Sequence, residues 1–329
     1  MNSRHAHARR LVSMLLGSCA WIAAASGLQA QDYPQKPIRM IVPFAAGGPT
    51  DAQARELARR MADELGKPVF VENRSGSGGN IGAEVVARAP ADGYTLLFSS
   101  NGPLAGNLSL FKTMAHHPVK DFAPISNYSA NANVLAVHPS FPANTLAEFV
   151  AVIKEHPGKY SFTSGGNGTT QHLSGELLKT MAKIDMQHIP YKGESPAILE
   201  TLSGLAPITF CNVSSCMGYV HGGKLRAIAI TAPRRLTVYP QLAAIAETYP
   251  GFDVRAWYGL VAPAGTPAAI VQRLSALVNK ISQSDDMRAK FESQGIESMA
   301  NSPEAFAAFI HSEIRKWAEL IAISGARIE

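Results

Sequence analysis

Two glycine-rich segments carry most of the chemistry this sequence can offer. Phe44-Ala45-Ala46-Gly47-Gly48-Pro49-Thr50-Asp51 follows the apolar run Ile38 to Val42, and Ser164-Gly165-Gly166-Asn167-Gly168-Thr169-Thr170 follows the run from Tyr160. Each joins a strand-like run to a helix-like stretch, so each occupies the turn beyond the C-terminal edge of a sheet, where open α/β folds bind ligands. Unpaired backbone N–H groups and the positive end of a helix dipole make such a turn an anion site without any basic side chain. Glycine permits close approach there, and serine and threonine hydroxyls add donors. One such loop reads most simply as an ordinary strand-to-helix turn. Two, one in each half of the chain, point to a shared cleft.

Three enzyme motifs are imitated, and each fails on its chemistry. Gly218-Tyr219-Val220-His221-Gly222-Gly223-Lys224 has the glycine spacing of a phosphate-binding loop, but Leu225 stands where a magnesium-binding hydroxyl is needed. Gly193-Glu194-Ser195-Pro196-Ala197 resembles a nucleophile elbow, yet Pro196 has no N–H to give an oxyanion hole. The glycines at 76, 78, 79 and 82 miss the dinucleotide-binding spacing. His116-His117 reads as a solvated pair in a polar loop. His172, at the start of the helix after the second glycine loop, reads equally well as a satisfied histidine of the first turn or as a cleft donor. Trp257 and Tyr258 read as core or junction aromatics, and Phe306, Phe309, Ile310 and Trp317 as the buried stripe of a final helix. Nothing calls for a cofactor or a metal.

The elements that must hold these loops alternate along the chain. Strand-like runs at 38–42, 69–72 and 94–99 are separated by helices, the first carrying Leu57, Ala58, Met61 and Leu65 on one face and stopped by Gly66 and Pro68. This rhythm predicts an α/β fold with a largely parallel sheet and helices on both faces. It restarts with strands at 134–137, 160–164, 186–190, 208–210 and 225–231. Thr145 to Glu148 forms a capping box before a helix. After a run at 257–261, helices are expected at about 267–283 and 303–323, the latter with Ser302 and Pro303 as N-cap and first residue.

The first thirty residues read as a cleaved export signal. Arg4, Arg9 and Arg10 precede an uncharged stretch from Leu11 to Leu28, and Ala30 supplies a small residue before Gln31. A lipid attachment at Cys19 and a membrane anchor are weaker readings of the same stretch. Removing it lowers the net charge of +5 by three, which leaves no basic stripe of the kind a nucleic-acid binder needs. Cys211 and Cys216 remain; export permits a disulfide, but spacing alone does not establish one.

Taken together these segments resemble the receptors of tripartite tricarboxylate transporters, the Bug family of periplasmic binding proteins. The resemblance rests on Pro37 to Phe44 with Gly47-Gly48-Pro49-Thr50-Asp51, on Val71-Glu72-Asn73-Arg74 with Gly78-Gly79-Asn80-Ile81-Gly82, and on Ala91-Asp92-Gly93-Tyr94-Thr95-Leu96-Leu97. Val119-Lys120-Asp121-Phe122, Pro190-Tyr191-Lys192-Gly193, Gly223-Lys224-Leu225-Arg226-Ala227 and Ala262-Pro263-Ala264-Gly265-Thr266-Pro267 complete it. It implies a monomeric two-lobe Venus flytrap with two interdomain crossings: signal 1–30, first lobe 31–132 and 254–329, second lobe 133–253. It also implies capture of a small organic carboxylate and delivery to a membrane transporter of one large and one small subunit, without turnover. A ligand-sensing subunit is the alternative; a periplasmic hydrolase would need a nucleophile–base pair or metal cluster that the sequence does not offer.

On that resemblance the ligand contacts fall on Phe44, Ala46, Gly47, Gly48, Thr50 and Asp51, on Ser100 and Asn101, on Ser164, Gly165, Asn167, Gly168, Thr169, Thr170 and His172, and on Cys211 and Asn212. Where the family often has an aspartate before an asparagine, this chain has Cys211-Asn212. The missing acid argues against recognition of a ligand amine.

Overall fold

The computed structural model describes residues 33–324, so the expected export signal and cleavage site lie outside the described residues. Short buried apolar runs make the strands. β1 (Ile38–Val42) is followed by α1 (Pro49–Leu65), β2 (Val69–Asn73), α2 (Asn80–Ala87), β3 (Thr95–Ser100) and the short α3 (Asn107–Leu110). Then come β4 (Phe122–Val137), α4 (Leu146–Glu155), β5 (Ser161–Ser164), α5 (Thr170–Ala182), β6 (Gln187–Pro190), α6 (Glu194–Leu202), β7 (Ile208–Asn212), α7 (Val213–His221) and β8 (Arg226–Ile230). The chain ends with β9 (Arg255–Pro263), α8 (Ala268–Ser282), α9 (Asp285–Ser293), β10 (Ile296–Ser298) and α10 (Pro303–Ser324).

Helix boundaries follow the local chemistry. α1 begins at a proline, whose missing N–H costs nothing at that position, and ends where Gly66 turns left-handed and donates its N–H to the Ala62 carbonyl. Its stripe of Ala54, Leu57, Ala58 and Met61 is buried. At α4 the Thr145 hydroxyl accepts from the Glu148 N–H while the Glu148 carboxylate accepts from the Asn144 N–H. No helix among the described residues is long and apolar enough to cross a membrane.

The strands run in the order β2-β1-β3-β9-β4-β7-β5-β6, with β10 and β8 each paired to β4. The sheet is parallel only towards its ends. β1 runs parallel to β2 and β3, and β5 parallel to β6 and β7, but β9 and β4 are antiparallel to their neighbours. The expectation of a largely parallel sheet is therefore corrected at the centre, where the chain crosses between two lobes instead of completing a βαβ unit.

β4 is the first crossing. Phe122 to Ala132 pairs with β9, and Asn133 to Val137 pairs with β7 and β8. The second crossing leads through Val254 into β9. Thr231 holds the two together: its N–H donates to the Asn133 carbonyl, its hydroxyl donates to the Val254 carbonyl at 2.6 Å, and its carbonyl accepts the Val254 N–H. One apolar cluster runs through both halves, from Leu97, Phe122, Trp257 and Trp317 to Leu135, Phe162 and Phe210. Two smaller clusters complete the interior, one under α1 and α8 and one under α7. The final helix buries Phe306, Ile310 and Trp317 of its predicted stripe, while Phe309 is half-buried.

Candidate functional site

The two glycine loops meet across the lobes. Gly47 and Gly168 both take φ of +81°, each two residues before its helix begins. The left-handed turn lets the chain leave a strand and aim the N-terminus of α1 or α5 inward. Between them lies a chamber of about 30 Å³, lined by Phe44, Gly48, Pro49, Thr50, Ser100, Asn101, Gly165, Thr169, Thr170, Gln171, Glu194, Ala256 and Tyr258. No lysine or arginine is in that lining. Larger cavities flank it along the seam. One of about 370 Å³ shares Gly48 and Pro49 and is walled by Tyr128, Ser195, Met287 and Phe291. One of about 510 Å³ shares Phe44 and Gly165 and is walled by Gly78, Asn167 and Tyr191.

Of the residues expected at the ligand, Phe44, Gly48, Thr50, Ser100, Asn101, Gly165, Thr169 and Thr170 line the central chamber. Ala46 is exposed, Gly47 faces the 370 Å³ cavity, and Asn167 faces the 510 Å³ one. Several others shape the loops from behind. Asp51 accepts from the Gly47 N–H and Arg55 Nε, both at 2.9 Å, and from Asn73 Nδ2 at 2.9 Å. Burial raises its pKa, but those donors outweigh it and hold the carboxyl below its usual range. Ser164 Oγ lies 3.2 Å from the Gly166 N–H and 2.6 Å from His188 Nε2. His172 Nδ1 accepts the Gly168 N–H at 3.3 Å, and its ring stacks on His188 at 4.1 Å. Burial, then Lys179, lowers the His172 pKa to about 4, so the ring is a neutral acceptor that shapes its loop. Of its two readings from sequence, the first-turn structural one fits.

Two further expectations are corrected. Cys211 does not reach the chamber: it is bonded to Cys216, with Cα atoms 5.9 Å apart, inside the core under α7. His116 is buried, not solvated; its Nε2 lies 3.0 Å from the Pro103 carbonyl and its ring meets Phe122 edge-on. A polar-looking sequence hides it because Pro103 supplies the hydrogen bond that water would otherwise give.

The residues missed from sequence are Pro49, Gln171, Glu194, Ala256 and Tyr258, and Glu194 matters most. It opens α6 after Gly193 and is 5 % exposed. Its Oε2 accepts from Gln171 Nε2 at 2.5 Å, the Asn212 N–H at 3.1 Å and Asn212 Nδ2 at 3.0 Å. Asn212 Oδ1 in turn accepts from the Tyr258 hydroxyl, and Asn212 Nδ2 also donates to Asn133 Oδ1 at 2.9 Å. Asn212 thus stands behind the chamber as an orienting residue. The signal was an acid opening a helix after a strand and a glycine, the same grammar as the two known loops; the nucleophile-elbow reading passes over it.

Two helix-opening loops on facing lobes, meeting at a small chamber beside a pair of strand crossings, define a periplasmic binding protein. The chain belongs to the tripartite tricarboxylate transporter family receptors, whose profile matches residues 53–325. It is 37 % identical over 324 residues to the protein BugT of Bordetella pertussis, a match that covers 97 % of this chain and 99 % of that one. The structure of Rpa4515 from R. palustris with adipate superposes with a TM-score of 0.88 at 32 % identity, covering 90 % of this chain and all of the other. MatC from Rhodopseudomonas palustris with bound malate gives 0.83 at 32 % identity, covering 88 % and all.

Proposed function

We propose that this chain is exported to the periplasm, captures a small organic carboxylate between its lobes and delivers it, unchanged, to a membrane transporter of one large and one small subunit. The observation that carries the reading is the chamber itself. The N-termini of α1 and α5 converge on it from opposite lobes without a basic side chain. The first N–H groups of a helix have no carbonyl of their own, which leaves those of Thr50, Thr170 and Gln171 for an anion. The Gly47 and Gly168 N–H groups are already engaged, with Asp51 and His172. Hydrogen bonds to a charged group contribute about 1.5–3 kcal/mol each, so a few support micromolar binding without an ion pair. That adipate and malate occupy two relatives agrees with a carboxylate ligand.

In this reading residues 31–132 with 254–329 form one lobe and 133–253 the other, with hinges where β4 changes partners and where Val254 leads into β9. Release without turnover fits Ser195, whose following residue is Pro196 and whose hydroxyl sits beside Gly47. Calorimetry with unbranched and hydroxylated dicarboxylates, alongside product analysis, tests the reading. Thr170 is 2 % exposed in the chamber wall, so Thr170→Glu adds a second buried carboxylate and should weaken binding at least about a hundredfold, given a cost of several kcal/mol for an unpaired buried charge. Parent-like binding by Thr170→Glu would remove the second loop from the site.

A further inference from the structure

Resting on the chamber as the ligand site, we propose that Glu194 selects a ligand with a cationic nitrogen beside its carboxylate, so that the captured acid is a small zwitterion of the amino-acid kind. The geometry carries this. Three donors, two from Asn212 and one from Gln171, converge on Oε2. The carboxylate also opens α6, where the helix dipole favours negative charge. Oε1 is buried and makes no hydrogen bond within 3.5 Å among the described residues, the Ser215 hydroxyl near the carboxyl helping only to hold its pKa down. In the same chamber Asn101 is 1 % exposed and its Nδ2 also lacks a partner. A ligand that satisfies both presents an acceptor to Asn101 and a donor to Glu194.

A neutral donor would fill the hydrogen bond and leave the charge unbalanced; an ammonium fills both, and an unpaired buried charge is the costlier omission. The groups around Glu194 supply no cation. Gln171 on α5, Asn212 and Ser215 at α7, Ser100 and Asn101 after β3, and Thr50 on α1 are neutral. Tyr258 on β9 is buried and held in its neutral phenol form by burial and by Glu194. Asp51 and Arg55 pair with each other, His172 is neutral, and Lys192 is exposed. Burial pushes the Glu194 carboxyl up to about 7 against the pull of its donors, and a bound ammonium reverses that burial effect. An acid reaches Asn212 from α6 in place of the one missing before it, and on this proposal it takes the ligand amine that the missing acid argued against.

The test uses full-length mature protein and matched acids that differ only in the ammonium: acetate and glycine, propionate and β-alanine, succinate and aspartate, glutarate and glutamate, with malate as a neutral-donor comparator. Calorimetry should show one ammonium-bearing acid at least thirtyfold tighter than its plain partner and than malate. Its affinity should fall as pH drops below 7, approaching tenfold per pH unit, because only ionised Glu194 accepts the cation. In Glu194→Gln, whose amide replaces the charge with a neutral group of the same shape, the preference and the pH slope should both vanish. The parent data alone decide the matter if that variant does not fold. Plain acids that bind as tightly as their ammonium partners, or more tightly at lower pH, overturn the zwitterion while leaving the carboxylate receptor in place. Binding of none of these acids overturns the chamber reading, and this inference with it.

Discussion

His172 and His188 show how a single residue type supports the second glycine loop from behind. Stacked behind the second glycine loop, both are desolvated, and burial is the main reason their pKa values fall, that of His172 to about 4. A histidine whose folded pKa lies below its unfolded value near 6.5 contributes stability that is complete above 6.5 and is lost as pH falls towards 4. Glu194 works the other way: with its folded pKa near 7, the unliganded protein loses stability as pH rises from about 4.5 to 7. The histidine effect is therefore isolated by difference. His172→Gln should melt below the parent at pH 7, and the gap should narrow steadily between pH 6.5 and 4.5. A gap of constant width would mean that the ring takes up its proton in the folded protein as readily as in the unfolded chain. At this scale the sequence exposed the loops, because glycine and threonine types announce themselves, but not Glu194. Its meaning depends on Asn212 and Gln171, which are distant in the chain and adjacent only after folding.

At the scale of elements, α10 docks on β9 through an absence. A Cβ built on Gly259 would stand 2.2 Å from the Phe306 ring, and Trp257 and Trp317 both donate to one oxygen of the buried Glu313, at 2.7 and 2.8 Å. Gly259→Ala should cost about 1–3 kcal/mol by forcing Phe306 off its seat, measured as the loss in urea unfolding free energy. No loss would mean that the helix adjusts freely. The sequence announced α10 through its period, and β1, β3 and α1 through theirs. It did not announce the first three-quarters of β4, up to Asn133. Ser126, Asn127, Ser129, Asn131 and Asn133 are all buried there, and a strand that carries polar groups inward lacks the apolar alternation by which strands are read. Several find partners far along the chain, the Ser126 hydroxyl at the Asn301 carbonyl and Asn131 Nδ2 at the Ser214 hydroxyl, which no local window contains.

Across the whole molecule the lobes touch along the seam. The Ala45 N–H donates to the Lys192 carbonyl at 3.1 Å, and Gly78 and Gly102 lie so close to Asn167 and Gly168 that a side chain on Gly78 would collide with the Asn167 carbonyl. These few polar contacts join two bodies linked by two strands and one continuous core, the setting for hinge closure. The chamber of about 30 Å³ admits a carboxylate-sized group, close to the space one or two waters need, so a longer acid enters only as the lobes part. Small-angle scattering should give a larger radius of gyration for the empty protein than for the protein saturated with its acid. An identical radius in both states would count against a flytrap.

The sequence by itself determined the alternation of strands and helices, the two anion-ready turns and the receptor family, because each is written in residues near one another along the chain. Glycine at a left-handed turn, proline at a first helical position and an apolar stripe at helical spacing act over a few residues and need no partner. The tertiary structure alone decided what the chamber contains. Burial turned His172 into a neutral loop support, the bond to Cys216 withdrew Cys211 into the core, and α6 brought a carboxylate to Asn212 with one oxygen left over. Desolvation and hydrogen-bond partnership belong to the assembled interior, and no segment carries them until the lobes have come together.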